Sequence, residues 1–518
     1  MVMMGFRFIF FILLLVGLPS LLAVCQQNNG DLNGDGVVNV DDIAWIKDRP
    51  ALFWSSVLKE QITNLNFFIS QLTQNFDSSC PTITVSVLDF AAKKDGLTDD
   101  GPAFQKTLDN VGGHGGGRVF IPAGTYFIDR TLIVHDNTEI LGEGEKTILE
   151  RGDTPTNSPL YQGISNCEKN VGFSGRELFS NDKYNCGNSN IFLHSFAVDG
   201  SRVKTVPGAV SLAFSAVKNL RVEHLTLRNL PQDGIFIRNG GVDTVIQDNL
   251  IDGHNMLWYN GGGIIIEMHG DGNLATTSAL PVRIEGNTII VRGPDFCEGI
   301  TGCVSNIDGI VATWVDGAAA PVVKIIANSL KVTNGHTGIA CNGCRDSLIE
   351  NNVIGALVSN TLRSELFSGI ISEYPRGGYG RNMTIMGNTI KGSGKPNDGR
   401  AILLSSNNAE SEKAIIRNNI VTDKSVIYSL SAIGLRGYHD FVIEGNQLTG
   451  IAAGPGIEIG ICDAGWLVTQ KGVITGNNVN LGSANLALNP ITLRKTKDLS
   501  LSANVVSPMG KTPVNICN

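Results

Sequence analysis

Between residues 249 and 504 an Asn recurs in the turn joining two short apolar strands, at Asn249, Asn287, Asn328, Asn352, Asn388, Asn419, Asn446, Asn478 and Asn504. The spacing is irregular, shortest from 328 to 352 and longest from 287 to 328. One coil per step accounts for it, with loops inserted in the long steps. A unit this short cannot bury its own apolar face, so stacking on its neighbours is the economical solution, and stacked turn Asn side chains then hydrogen-bond along the axis. The expectation is an all-β chain wound as a right-handed parallel β-helix, a solenoid. A β-sandwich would instead show period-two alternation and hairpin turns without a recurrent Asn.

The composition agrees with that expectation. The 518 residues are 42% hydrophobic and 17% charged with 61 Gly, which excludes disorder, collagen and a coiled coil. A net charge of −8 gives no electrostatic reason to bind phosphate backbones, so no nucleic-acid partner is expected.

The amino end reads as an address. Arg7 precedes an apolar run from Phe8 to Val24, broken by Gly17, Pro19 and Ser20, too short for a spanning helix. Residues 1–25 are therefore expected to be a signal peptide and the mature protein to be secreted. Leu22-Ala23-Val24-Cys25 resembles a bacterial lipoprotein cleavage box, which would make Cys25 a lipid anchor and the membrane a partner through it. Val24 departs from the Gly, Ala or Ser usual there. Outside the cytosol disulfides persist, and the spacings 297/303, 341/344 and 167/186 would each let a pair close a loop.

Residues 26–48 carry a metal-binding pattern. Asp31, Asn33, Asp35, Asn39 and Asp42 place oxygen side chains at loop positions 1, 3, 5, 9 and 12, Gly36 permits the sharp turn, and Val37 offers a backbone carbonyl. A hard cation needs that many oxygens, so calcium is the expected cofactor. The segment is similar to one repeat of a dockerin, a resemblance that implies a small α-helical, EF-hand-like unit and a cohesin-like partner. It departs in having one loop and in lying at the amino end. Residues 49–82, with Trp45, Phe53, Trp54, Leu58, Ile62 and Leu65 at helical spacing across the junction, read as a helical linker.

The main body is expected over 83–518. In VLDFAAKKDGLTDDGPAFQKTLDNVGGHGGGRVFIPAGTYFI, Val87–Ile128, Asp100 reads as a helix N-cap, Pro102 lies in the first turn, and Phe104, Leu108 and Val111 form an apolar stripe. Such a helix can cap an open sheet end. The Gly-rich run 112–117 lies between helix and strand, the reverse of the order a phosphate loop needs, and reads as a turn. This stretch resembles the amino-terminal segment of the pectate-lyase-like superfamily, which includes rhamnogalacturonases and phage tailspikes. That resemblance implies the same β-helix and a polysaccharide substrate.

A second strand family marks the working face. Strands beginning near Asp233, Gly262, Asp308, Thr337, Ser368, Ser431 and Pro455 alternate Ile-rich inward positions with an outer side that includes Arg238, Glu267, Thr313, Glu373, Arg436 and Tyr438. Arg238, Glu267 and Thr313 are expected as neighbours on adjacent coils, with His269 farther along the Glu267 strand. Asp233 and Asp308 share a register two coils apart, about 10 Å, just past the ~6.5–9.5 Å window of inverting glycosidases. Catalytic candidates are Asp233, Glu267, His269 and Asp308; substrate-binding candidates are Arg238, Glu373 and Arg436.

A hydrolase would use two of the carboxyls, whereas a lyase or a uronan C5-epimerase would use a base and a cation beside the uronate carboxyl. The polygalacturonase motifs are only partly echoed at Gln232-Asp233-Gly234-Ile235, and the Asp-Pro-His segment of mannuronan epimerases is missing. The reading is a secreted carbohydrate-active enzyme, lyase or glycoside hydrolase, acting on an acidic or decorated glycan. The alternative is a noncatalytic binding or adhesive solenoid, since a fold does not specify function.

Overall fold

The computed structural model describes residues 83–152, 179–181 and 187–203 and, from 211 onward, most strand segments as far as 515. The expected signal peptide, the expected Cys25 anchor, the expected calcium ligands Asp31, Asn33, Asp35, Val37, Asn39 and Asp42, and the expected linker lie outside the described residues, as does His269. So do Cys167, Cys186, Cys297 and Cys303. Among the described residues no helix is long and apolar enough to cross a membrane.

Among the described residues every strand pairs in parallel with the equivalent strand of the next coil, which is the signature of a parallel β-helix. A typical coil contributes three strands, such as Ser368–Glu373, Arg381–Met386 and Thr389–Gly394. The first of these belongs to a 13-stranded sheet that forms one face. Its inner row runs Leu212, Ile235, Ile264, Ile310, Ile339, Ile370, Ile402, Ile433, Ile457 and Ile491 in unbroken register. All ten are buried in one continuous core. Burying each such side chain contributes roughly 1.5–3 kcal/mol, and β-branched Ile suits the pleat.

The tight turn between the second and third strands holds the Asn stack. From Asn249 each side chain bonds the next, through Asn287, Asn328, Asn352, Asn388, Asn419, Asn446 and Asn477 to Asn504. The eighth member is Asn477, one residue before the Asn478 expected from the Asn-Asn pair. Asn478 begins the following strand, and Gly476, at φ 63°, takes the left-handed position that precedes the stacked Asn. Asn388 shows how the amide is satisfied. Its Nδ2 donates to Asn419 Oδ1 at 3.0 Å and to the Ile349 carbonyl at 2.9 Å, while its Oδ1 accepts from the Asn352 Nδ2 and backbone N–H, both at 2.9 Å. A buried amide stays only where all its capacity is used.

The helix α1, Gly101–Gly113, closes the first coil. Phe104, Leu108 and Val111 are buried as the stripe predicts. Asp100 stands at the N-cap position but makes no capping bond. Its carboxylate instead accepts from the Lys93 and Lys94 backbone N–H groups, and Asp99 Oδ1 accepts from Gly101 N at 2.9 Å. Burial pushes the Asp100 carboxyl above its usual range, opposed by those two bonds. Gln105 of α1 donates from Nε2 to the Ile133 carbonyl and accepts the Ile133 N–H at Oε1. Ile133 lies on Leu132–Val134, the end strand of the 13-stranded sheet, so a side-chain amide pairs an edge that would otherwise invite another strand.

Cys341 and Cys344 are disulfide-bonded with their Cα atoms 5.6 Å apart. Tyr438, expected on the outer side, is fully buried in the core, because left-handed Gly437 at φ 69° breaks the strand alternation after Arg436.

Replacing Asn388 with Ala is expected to lower stability by roughly 1–3 kcal/mol, because it strands the Asn352 donors in a dry turn. The shift of the urea midpoint measures it, and a midpoint within error of wild type would refute the stacking account.

Candidate functional site

The outer face of the 13-stranded sheet carries three parallel rows. The first runs Gly262, Asp308, Thr337, Ser368, Arg400 and Ser431, with Asp233 in register before Gly262. The middle row runs Phe236, Ile265, Val311, Ala340, Ile371, Leu403, Gly434, Glu458 and Thr492. The last contains Ser215, Arg238, Glu267 and Thr313 at one end and Glu373, Ser405 and Arg436 at the other. Arg238, Glu267 and Thr313 therefore stand on adjacent coils as the strand alignment predicts, about 4.8 Å apart per step.

Ala340, Ile371 and Leu403 of the middle row are buried in an apolar cluster separate from the core, with Val311 packed against it. The face is thus a hydrophobic strip edged by polar rows. The strip is covered, so the ionisable groups available for chemistry are those of the two edges and of the far end.

The register separates the expected catalytic carboxylates. Glu267 lies five residues along its strand from Gly262, the partner of Asp308, which is about 16 Å. The two cannot act as one acid–nucleophile pair. Asp233 and Asp308 share the first row two steps apart with Gly262 between them. Asp233 is buried, and its Oδ1 accepts from Gly262 N at 2.8 Å, so one oxygen is committed to the start of the next strand.

Asp308 is only partly buried, and its Oδ1 lies 3.1 Å from His336 Nδ1, which also contacts Thr337 Oγ1 at 3.0 Å. The sequence reading passed over His336; the signal available was its place directly before Thr337, one coil on from Asp308. A carboxylate-oriented imidazole is a competent general base. Glu267 is partly exposed and its row neighbour Arg238 is buried, an arrangement that sets a cation beside a carboxylate on one edge. The backbone of Glu373 takes its place in the last row, while its side chain lies outside the described residues.

A second charged centre sits at the far end. Glu458 accepts from Arg494 Nε at 2.9 Å and pairs with Arg400 Nη2 at 3.3 Å and Arg436 Nη2 at 3.5 Å. Arg436 was an expected ligand; Arg400, Glu458 and Arg494 were missed. The strand Arg400–Ser405 opens Arg-Ala-Ile, the same start as the aligned Ser431-Ala432-Ile433, so that signal was available, whereas Arg494 follows Ile491–Leu493, a strand with no Gly-Ile start.

Residues 84–293 match the family Rhamnogalacturonase A/epimerase, pectate lyase-like. The preneck appendage protein of Bacillus phage PZA is 29% identical over 167 residues, 31% of this chain and 17% of that protein. Mannuronan C5-epimerase AlgE1 of Azotobacter vinelandii is 27% identical over 197 residues, 35% of this chain and 13% of the epimerase. The matches thus span less than a fifth of either relative. Among solved structures, PfbA, a surface adhesin of Streptococcus pneumoniae, superposes with a TM-score of 0.56 at 14% identity, covering 82% of this chain and 91% of the adhesin. At that identity the likeness concerns the fold.

Asp233→Ala is expected to destabilise by roughly 1–3 kcal/mol, since a buried strand-start N–H loses its acceptor, whereas Asp233→Asn keeps the acceptor and most of the stability. Equal unfolding midpoints for the two variants would contradict that role.

Proposed function

We propose that the protein is an extracytoplasmic carbohydrate-active enzyme, a lyase or glycoside hydrolase, working on an acidic or decorated glycan laid along the edge of the 13-stranded sheet's outer face that bears Arg238, Glu267 and Thr313. The observation that carries this reading is the Arg238–Glu267–Thr313 edge, where a cation, a carboxylate and a hydroxyl stand on consecutive coils of a rigid sheet. Removing the proton beside a uronate carboxyl requires a base and a cation that stabilises the charge that develops. Glu267 and Arg238 are of the right kind, and the Asp308–His336 pair offers a second base on the opposite edge. The pectate-lyase-like segment and the mannuronan epimerase among its relatives support a polysaccharide substrate, and keep uronan C5-epimerisation within the proposal.

The separation of Glu267 from Asp308 favours elimination or epimerisation over two-carboxylate hydrolysis. It also favours, as a second reading, a noncatalytic binding solenoid. Offering pectin, alginate and neutral glycans in parallel separates these outcomes. Unsaturated-product absorbance marks elimination, new reducing ends alone mark hydrolysis, exchange of the C5 proton with solvent without cleavage marks epimerisation, and retention without reaction marks binding. Glu267→Gln is expected to cut turnover by about 10²-fold or more with the fold intact; unchanged turnover would remove Glu267 from the chemistry.

The amino-terminal loop, with Asp31, Asn33, Asp35, Val37, Asn39 and Asp42, belongs to the proposal as a calcium site, and a cohesin-like partner or a Cys25 lipid anchor would tether the enzyme near its polymer. Calcium titration of the full chain is expected to raise helical circular dichroism and chelation to reverse it. A spectrum indifferent to both would rule the site out.

A further inference from the structure

Arg400, Arg436 and Arg494 converge on the carboxylate of Glu458, which gathers three guanidinium groups in one place. The four residues come from four consecutive coils, three on the strands Arg400–Ser405, Ser431–Arg436 and Ile457–Ile459 of the 13-stranded sheet and Arg494 directly after its strand Ile491–Leu493. The cluster is built rather than scattered. Arg400 starts in the first row and reaches Glu458 in the middle row by crossing over Gly434, where an added Cβ would stand 3.0 Å from Arg400 Cδ and 3.1 Å from its Nε. Arg400 Nε donates to Ser431 Oγ at 3.2 Å, which fixes the crossing.

Arg436 Nε is buried and has no hydrogen-bond partner among the described residues. Arg494 keeps 32% and Arg436 17% of the side chain exposed, so solvent reaches the cluster from their side. Glu458 cannot saturate the guanidinium forks of Arg436 and Arg494, each with five donors. What remains on those two is a preorganised set of N–H groups on clustered guanidinium cations, the chemistry that binds a carboxylate or an oxyacid ester.

We propose that the Arg400–Arg436–Arg494 cluster, held by Glu458, is an anion-binding subsite that takes a carboxylate or sulfate substituent of a glycan. It rests on the reading above that a glycan lies along this face. It also places recognition away from reaction. From Glu267 to Arg436 the register advances five coils in one row, about 24 Å, so the cluster grips the chain at a distance and does not touch the bond that changes.

The test measures binding of full-length protein to oligogalacturonate, dextran sulfate and dextran oligomers of matched length at several salt concentrations. Wild type is expected to hold at least one anionic oligomer, with Arg494→Gln and Gly434→Ala each weakening it about tenfold or more and leaving dextran unchanged. Gly434→Ala keeps every charge and crowds Arg400, with Leu403 Cδ1 at 3.2 Å beside it, so it decides the matter if Arg494→Gln proves unstable. Preference for oligogalacturonate assigns a carboxylate, preference for dextran sulfate a sulfate. The proposal is overturned if wild type holds neither anionic oligomer, or if folded variants hold both as wild type does. Arginine-dependent binding without turnover would keep the subsite and refute the enzyme. Turnover with anion binding indifferent to both variants would do the reverse.

Discussion

Hydrogen bonding between equivalent positions of successive coils is the constraint on which the rest of this molecule depends. A solenoid has no closed core of its own in any one turn, so each coil must present the next with the same backbone spacing and the same side-chain register. The Asn stack enforces this at the tightest corner. An amide has both donors and acceptors, so one Asn can bind the Asn before it, the Asn after it and a backbone carbonyl at once. No aliphatic side chain could do so, and a Ser or Thr lacks the reach. The cost of burying an amide is met only because every bond is made, which explains why the stack continues through steps of very different loop length.

With the corner fixed, the sheet face becomes a grid. One coordinate is the coil and the other is the position along the strand, and both are set by backbone geometry rather than by side-chain packing. Functional groups on such a grid have spacings that loop insertions cannot change. Three consequences follow here. Arg238, Glu267 and Thr313 are neighbours although 75 residues separate the first and last; Glu267 and Asp308 are kept apart; and Arg400 reaches Glu458 across a grid point that is glycine, where a Cβ would crowd it. The far end of the face, with three arginines on one carboxylate, has a charge character unlike the Glu267 end.

Much of this was legible in the residues and some was not. The Asn turns and the Ile-rich starts are local, repeated signals, and repetition makes a weak pattern readable. That is why the β-helix and the inward Ile row could be inferred. The slip from Asn477 to Asn478 arose where two Asn stand together and only the turn geometry selects one. Tyr438 was misplaced because a period-two count does not register a left-handed glycine. Arg400 was missed although its strand opens Arg-Ala-Ile as the Ser431 strand opens Ser-Ala-Ile, and Arg494 because it follows a three-residue strand that gives too little periodicity to notice. His336 was passed over because its partner, Asp308, is one coil away and 28 residues earlier.

By itself the sequence determined the class of fold, since a chain with coil-spaced Asn and short Ile strands has few other ways to bury its apolar groups. It also determined which types of ionisable residue the outer face would carry. Which of those residues meet was decided by tertiary structure alone. Register converts positions tens of residues apart into distances of a few ångströms, and a side chain such as Arg400 can cross a strand only where the neighbour leaves room.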